Sequence, residues 1–198
     1  MNLVRLEVTT TPVVGDDEID AAIQLDDLKD HLRITGDMED AHLERLAMAA
    51  SAQVADELGR TLRVTVYKAL FDGWPDGDFI QLPRPPILTD AMALAVVSPA
   101  NSETPVLPLN TWSAVAGDAG GLVLRRGASW PDLSAAHVRT PVAVSYRAGY
   151  TSIPDHLLQL VRVTATDLYF NREGAAHHSN VRRRLLGLAR PKRGGGVL

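Results

Sequence analysis

The chain has no cysteine among its 198 residues. That excludes a disulfide scaffold, thiolate zinc sites and a cysteine nucleophile, and it fits assembly in a reducing cytoplasm. Long hydrophobic runs are also missing. Nowhere do 18 apolar residues follow one another, so no membrane span is predicted. The opening stretch, MNLVRLEVTTTPVVGDDEID, has no apolar segment of useful length and turns acidic at once, which is not the pattern of a signal peptide. Site signatures are lacking too: GxGxxG, Walker A, GxSxG, HExxH and the DxDxDG loop are all absent. Neither a catalytic residue nor a cofactor is predicted. His177 and His178 are adjacent and so point apart, with no third ligand near them in sequence, and no metal site is predicted. His31, beside the apolar stripe of a predicted helix, reads as a partly buried structural residue.

What is present is ordinary globular material. The chain is 45% hydrophobic and 22% charged, which suits one core or two closely joined small ones. Charge is unevenly spread. Residues 15–58 carry thirteen acidic side chains against Lys29, Arg33 and Arg45, whereas from Arg172 onward seven cations face Glu173 alone. An acidic front and a basic tail suggest a molecule with two different partners, although either block can also be a solvated surface.

The front reads as two helices. In LDDLKDHLRI, Leu25, Leu28 and Leu32 share a stripe, acids sit at the start where the helix dipole favours them, and Gly36 follows as a stop. A second helix is expected from an Asp37 N-cap to Leu58, with Gly59 as its C-terminal stop and Leu43, Leu46, Ala47, Ala50, Val54 and Leu58 on one face. Its alanines keep it thin, so a partner from the same chain or from a neighbouring copy can approach closely. Beyond Gly59 the pattern changes to period two. Strands are expected near Leu62–Val66, Phe79–Leu82, Leu88–Val97, Leu107–Val115, Gly121–Arg126 and Val138–Tyr146, with GDAGG as a tight hairpin turn. Trp74, Trp112 and Trp130 fall in this region, where core anchoring is the default reading. A broadly apolar helix follows over 154–171, carrying Leu157, Leu160, Val161, Ala165 and Leu168.

The fold class is therefore α+β: a helical bundle with an inserted antiparallel β-element and an extended basic tail. The expected divisions are an N-terminal strand or arm over 1–24, a helical part from 25–60 and 151–172, the β-element over 61–150, and the tail over 173–198. Gly, Pro and charge make independent folding of the tail unexpected. Arg182, Arg183, Arg184, Arg190, Lys192 and Arg193 in it could neutralise phosphates, but no aromatic residue is interleaved for base stacking. Leu185, Leu186 and Leu188 beside the arginines instead favour docking into an apolar, acidic protein groove.

In their order and spacing, several segments resemble the head-tail connector, or adaptor, family of tailed bacteriophages and gene transfer agents. They are LDDLKDHLRI at 25–34, ELGR at 57–60, DGWP at 72–75, IQLPRPPI at 80–87, RAGY at 147–150 and IPDHLLQLVRVTATDLYFNRE at 153–173. The resemblance implies a non-catalytic structural protein of a phage or phage-like neck, assembled in the bacterial cytoplasm. It implies a homo-oligomeric ring, typically dodecameric, beneath the portal protein and above a stopper or tail-completion protein. Double-stranded DNA would pass through the lumen without sequence-specific binding, and no membrane is involved. The acidic front would face that lumen. The basic segment just named, Arg182 to Arg193 with its leucines, would dock on the portal. Leu43, Ala47, Ala50, Val54, Leu157, Val161 and Leu168 would pack within and between subunits. Two other readings stand beside this one: a nucleic-acid-binding accessory protein using the arginine cluster, and another neck or tail-completion protein.

Overall fold

A computed structural model describes residues 1–10, 21–97, 103–105, 111–130, 132–133, 139–171 and 180–189. The elements in chain order are β1 (Leu3–Thr10), α1 (Leu25–Leu32), α2 (Asp40–Leu58), β2 (Thr65–Phe71), β3 (Phe79–Gln81), β4 (Ile87–Val97), β5 (Glu103–Pro105), β6 (Trp112–Val115), β7 (Gly121–Leu124), β8 (Val142–Ala148), α3 (Asp155–Phe170) and α4 (Asn180–Ala189). The chain is a mixed α+β protein with antiparallel sheets. It divides into two compact units, Met1–Val13 with Val64–Tyr150, and Val14–Arg63 with Thr151–Leu198.

The first unit holds all the strands found among the described residues. A five-stranded sheet runs β1-β2-β8-β4-β5 and a three-stranded one β3-β7-β6, with antiparallel pairing throughout. The central pair is β2 and β8, in continuous register from Thr65↔Ala148 to Phe71↔Val142. Alternation explains why: Tyr67, Ala69 and Phe71 on β2 point the same way and are buried, joined by Val142, Val144, Tyr146 and Ala148 from β8. Ile80, Leu122 and Trp112 of the smaller sheet belong to the same cluster, so one core serves both sheets. Tyr146 is wholly buried, stacks on Tyr67 at 5.7 Å, and donates its hydroxyl to the Pro83 carbonyl at 2.8 Å. Burial pushes its phenol pKa well above the usual value.

The expected GDAGG turn joins β6 and β7. There the backbones come very close, and a Cβ at Gly121 would lie 2.0 Å from the carbonyl oxygen of Ile80. Only glycine fits that position. Several boundaries differ from the sequence reading. The strand expected at Leu62 starts at Thr65, because Leu62 is buried in the helical unit instead. The last strand runs to Ala148 rather than stopping at Tyr146. The long strand expected over 107–115 is only Trp112–Val115 among the described residues.

The second unit is helical. α1 buries Leu28, with Asp26 and Asp27 in its first turn. Arg33 ends it in the left-handed region at φ 57°, and the Ile34 N–H closes back on the Lys29 carbonyl at 3.0 Å. α2 begins at Asp40 and not at an Asp37 cap. Asp37 instead forms the preceding turn, its carbonyl accepting the Asp40 N–H at 3.2 Å. At the other end Gly59 sits at φ 62°, and the Gly59 and Arg60 N–H groups satisfy the Asp56 and Ala55 carbonyls, the termination expected of a glycine there. α2 packs against α1 and α3, and α4 lies on α3. Ser51 stitches the entry segment to this core: its hydroxyl donates to the Ala47 carbonyl and accepts the Ala22 N–H at 2.9 Å.

Candidate functional site

The basic segment expected to be an extended tail is partly a helix, held on its own chain. In α4, Arg182, Leu185, Leu186 and Ala189 recur at the spacing of one helical face, and Arg182 and Ala189 are buried. Arg182 is only 3% exposed. Its Nε donates to Thr164 Oγ1 at 3.0 Å and its Nη2 to Glu57 Oε1 at 2.5 Å. Thr164 passes its own hydroxyl hydrogen to the Leu160 carbonyl, and Gln53 donates to the same Glu57 oxygen at 3.0 Å. The aliphatic stem of Arg182 thus fills the α3 surface while its head is satisfied, which lets an arginine occupy a core position.

This corrects the reading of 182–184 as one docking cluster. Consecutive helical residues point about 100° apart, so three adjacent arginines cannot share a surface. Arg182 faces inward, Arg183, Arg184 and Leu188 are exposed, and Leu185 and Leu186 are half-buried. Arg190, Lys192 and Arg193 lie outside the described residues.

The residues expected to pack within and between subunits lie inside the single chain. Leu43, Ala47, Ala50, Val54, Leu157 and Val161 are fully buried in the isolated chain, and Leu168 is half-buried. They form the chain's own helical core. The alanine spacing does permit close helix approach, but α3 of the same chain takes that space. The outward face of α2 carries Ala41, Arg45, Met48, Ala49 and Ala52 instead. His31 is exposed, not partly buried. The His177–His178 pair lies outside the described residues.

Sequence reasoning passed over one surface. In the turn before α2, Met38 is 99% exposed, and at the end of α3, Phe170 is 69% exposed. Both belong to one end of the helical unit, because the Tyr169 hydroxyl donates to Glu39 Oε2 at 2.9 Å and the Tyr169 ring sits edge-on to Phe170 at 5.1 Å. Lys29 Nζ meets Asp40 Oδ1 at 2.7 Å and fixes α1 to the same turn, and that bond holds the ammonium pKa above its ordinary value. A lone methionine between charged residues carries no periodic signal, which is why sequence alone did not single it out.

In the strand-bearing unit, Trp74 and Trp130 stack at 4.8 Å and 9°, and Trp130 Nε1 donates to the Gly77 carbonyl at 2.9 Å. The pair pins two loops together and is half-buried, while Trp112 is in the core. A shallow cavity of about 310 Å³ lies between Leu3, Phe71, Gln81, Leu82, Pro83, Pro85 and Asp118. Among the described residues no three His, Asp or Glu side chains converge to hold a metal ion, and no helix is long and apolar enough to cross a membrane.

This geometry can be set beside known proteins. Residues 22–93 match the family described as phage gp6-like head-tail connector protein. No curated protein matches the chain. Among solved structures it is similar to a chain in the neck of an empty gene transfer agent particle computed with C6 symmetry, at 27% identity and TM-score 0.78, covering 97% of this chain and 99% of that one. A chain in the virion of a native gene transfer agent particle matches at 27% identity and TM-score 0.75, covering 96% and 98% respectively. A chain in the neck of a native particle computed with C12 symmetry shares the fold at 24% identity and TM-score 0.75, covering 97% and 99%. The segment spanning α1, α2 and the first strands that follow thus carries the match to the family described as phage gp6-like head-tail connector protein.

Proposed function

We propose that this protein is a non-catalytic connector subunit of a phage-like neck, assembling as a ring, of twelve copies in the arrangement its resemblance implies. The observation that carries this reading is similarity over almost the whole chain to neck chains of gene transfer agent particles, together with the connector match over 22–93. In this reading the ring sits beneath the portal, hands the axis on to a stopper or tail-completion protein, and leaves a lumen for double-stranded DNA. Assembly takes place in the bacterial cytoplasm.

Portal docking falls to the chain beyond α4. Arg182 is committed to Glu57 and Thr164, so Arg190, Lys192 and Arg193 carry that role. The same commitment weakens the nucleic-acid alternative, since it removes one cation from the set that would neutralise phosphates.

The test is the mass of the purified full-length protein in solution, alone and mixed with its cognate portal. A ring, alone or formed on the portal, is the expected result. Reversing Arg190, Lys192 and Arg193 to Glu together should abolish co-purification with portal and leave the helical content unchanged. Undiminished portal binding by that variant overturns the docking role. A protein that ignores portal but binds short duplex DNA, with affinity collapsing between about 50 and 200 mM salt, overturns the connector reading.

A further inference from the structure

We infer that the Met38–Phe170 end of the helical unit is a socket for the outward face of α4 from a second copy, joining neighbouring chains head to tail. The inference rests on the connector reading and specifies the contact its ring would use.

Two exposed surfaces on one unit complement each other. The socket presents Met38 and Phe170, at 99% and 69% exposure. Residues 37–44 around it, DMEDAHLE, carry four carboxylates, of which Asp40 is paired with Lys29. The outward face of α4 presents Val181 and Leu188, at 57% and 70% exposure, with Arg184 between them on the same helical face. Apolar groups thus face apolar groups, and cations face an acidic rim.

Single exposed apolar residues are common on any surface and need no partner. Here they occur in matched sets on anchored backbone. The turn bearing Met38 is held by the Lys29–Asp40 ion pair and the Tyr169–Glu39 hydrogen bond, and α4 is held by Arg182. Rigid display of apolar side chains to water is costly without an occupant and lowers the ordering cost of binding with one. Phe170 and Leu188 are both largely exposed in the folded chain, so its own α4 does not fill its own socket. The occupant is another copy. Because socket and plug are different surfaces, the contact is heterologous, the kind that repeats around an axis and closes into a ring.

The absence of cysteine makes the test clean. In the full-length chain, the double variant Met38→Cys/Leu188→Cys should oxidise to a ladder of disulfide-linked multimers ending in a closed species. Mixing the two single variants should give only linked dimers. An intramolecular disulfide, or cross-linking no faster than in a Val8→Cys/Leu188→Cys control, overturns the inference. As a second readout, Met38→Asp and Leu188→Asp, both at exposed positions, should each lower the fraction of chain in rings at least tenfold with unchanged helical content. Wild-type rings that survive both substitutions overturn this interface alone. A wild type that stays monomeric even with portal overturns the connector reading and this inference with it.

Discussion

Glu57 in the last turn of α2 and Arg182 in the first turn of α4 meet at 2.5 Å across 125 residues of sequence, and the arginine is nearly inaccessible to solvent. The two ends of this pair are not equivalent. Glu57 is partly exposed and can be solvated if its partner is lost, whereas Arg182 cannot.

Removing the acid should therefore cost more than removing the base. Glu57→Leu leaves a buried guanidinium without its carboxylate partner, and should cost about 3–5 kcal/mol. Arg182→Met replaces the charge with an apolar side chain of similar length and should cost about 1 kcal/mol or less. Urea denaturation of both variants checks the order. Equal losses would mean that Arg182 is held by packing and not by its charge.

Gly121 tests the join between β3 and β7. An added methyl group would collide with the Ile80 carbonyl, and backbone cannot move aside as a flexible side chain can. Gly121→Ala should destabilise the strand-bearing unit by about 3 kcal/mol. Calorimetry on the full chain would reveal the change as a lowered transition. Wild-type melting would show that the two strands can separate without cost.

Tyr146 links stability to pH. Its folded-state pKa is raised, so its contribution is complete below the unfolded value of about 10 and is lost as pH climbs toward the higher folded value. The unfolding free energy should fall above about pH 10, and the slope there should be shallower in Tyr146→Phe. Near neutral pH the same variant should lose about 1–2 kcal/mol, because the part-buried Pro83 carbonyl loses its donor. Denaturation curves from pH 7 to 11 decide both points.

Asp72 gives the opposite sign at the other end of the scale. The Asn2 backbone N–H donates to its Oδ1 at 2.5 Å, with the Asn2 side-chain amide on Oδ2 at 2.8 Å, and these bonds hold its carboxyl below the ordinary range. Their contribution is present above the unfolded pKa of about 3.9 and is lost as pH falls through the folded value. Hydrogen exchange along β1, corrected for intrinsic rates, should stay constant from pH 7 to 5 and accelerate below about pH 4. In Asp72→Asn that acid dependence should disappear.

Where periodicity and punctuation act locally, the fold was readable from the residues. The Leu25–Leu28–Leu32 stripe, the Gly59 stop and the alternation leading into Tyr146 gave α1, the end of α2 and most of β8. The site was less legible. Val54 and Ala50 announce a buried face, but composition does not say whose helix buries it. Arg182 shows the same gap: its charge count points to solvent, and only the position of Thr164 and Glu57 turns it inward. Met38 and Phe170 lie 132 positions apart and come to one end through the Tyr169–Glu39 bond, a relation that no local pattern encodes.

The connectivity of the two units has a consequence for synthesis. Each unit is assembled from two stretches of chain, and in each case the second stretch arrives late. β2 must wait for β8, whose first residue is 71 positions beyond the end of β2. At about 5–20 residues per second that is roughly 4–14 s on the ribosome with the apolar face of β2 uncovered. α2 waits longer still for α3. A nascent chain interrupted before residue 142 therefore completes neither core, and a prematurely terminated product should be a chaperone or protease substrate, not a dominant-negative subunit able to poison an assembling ring.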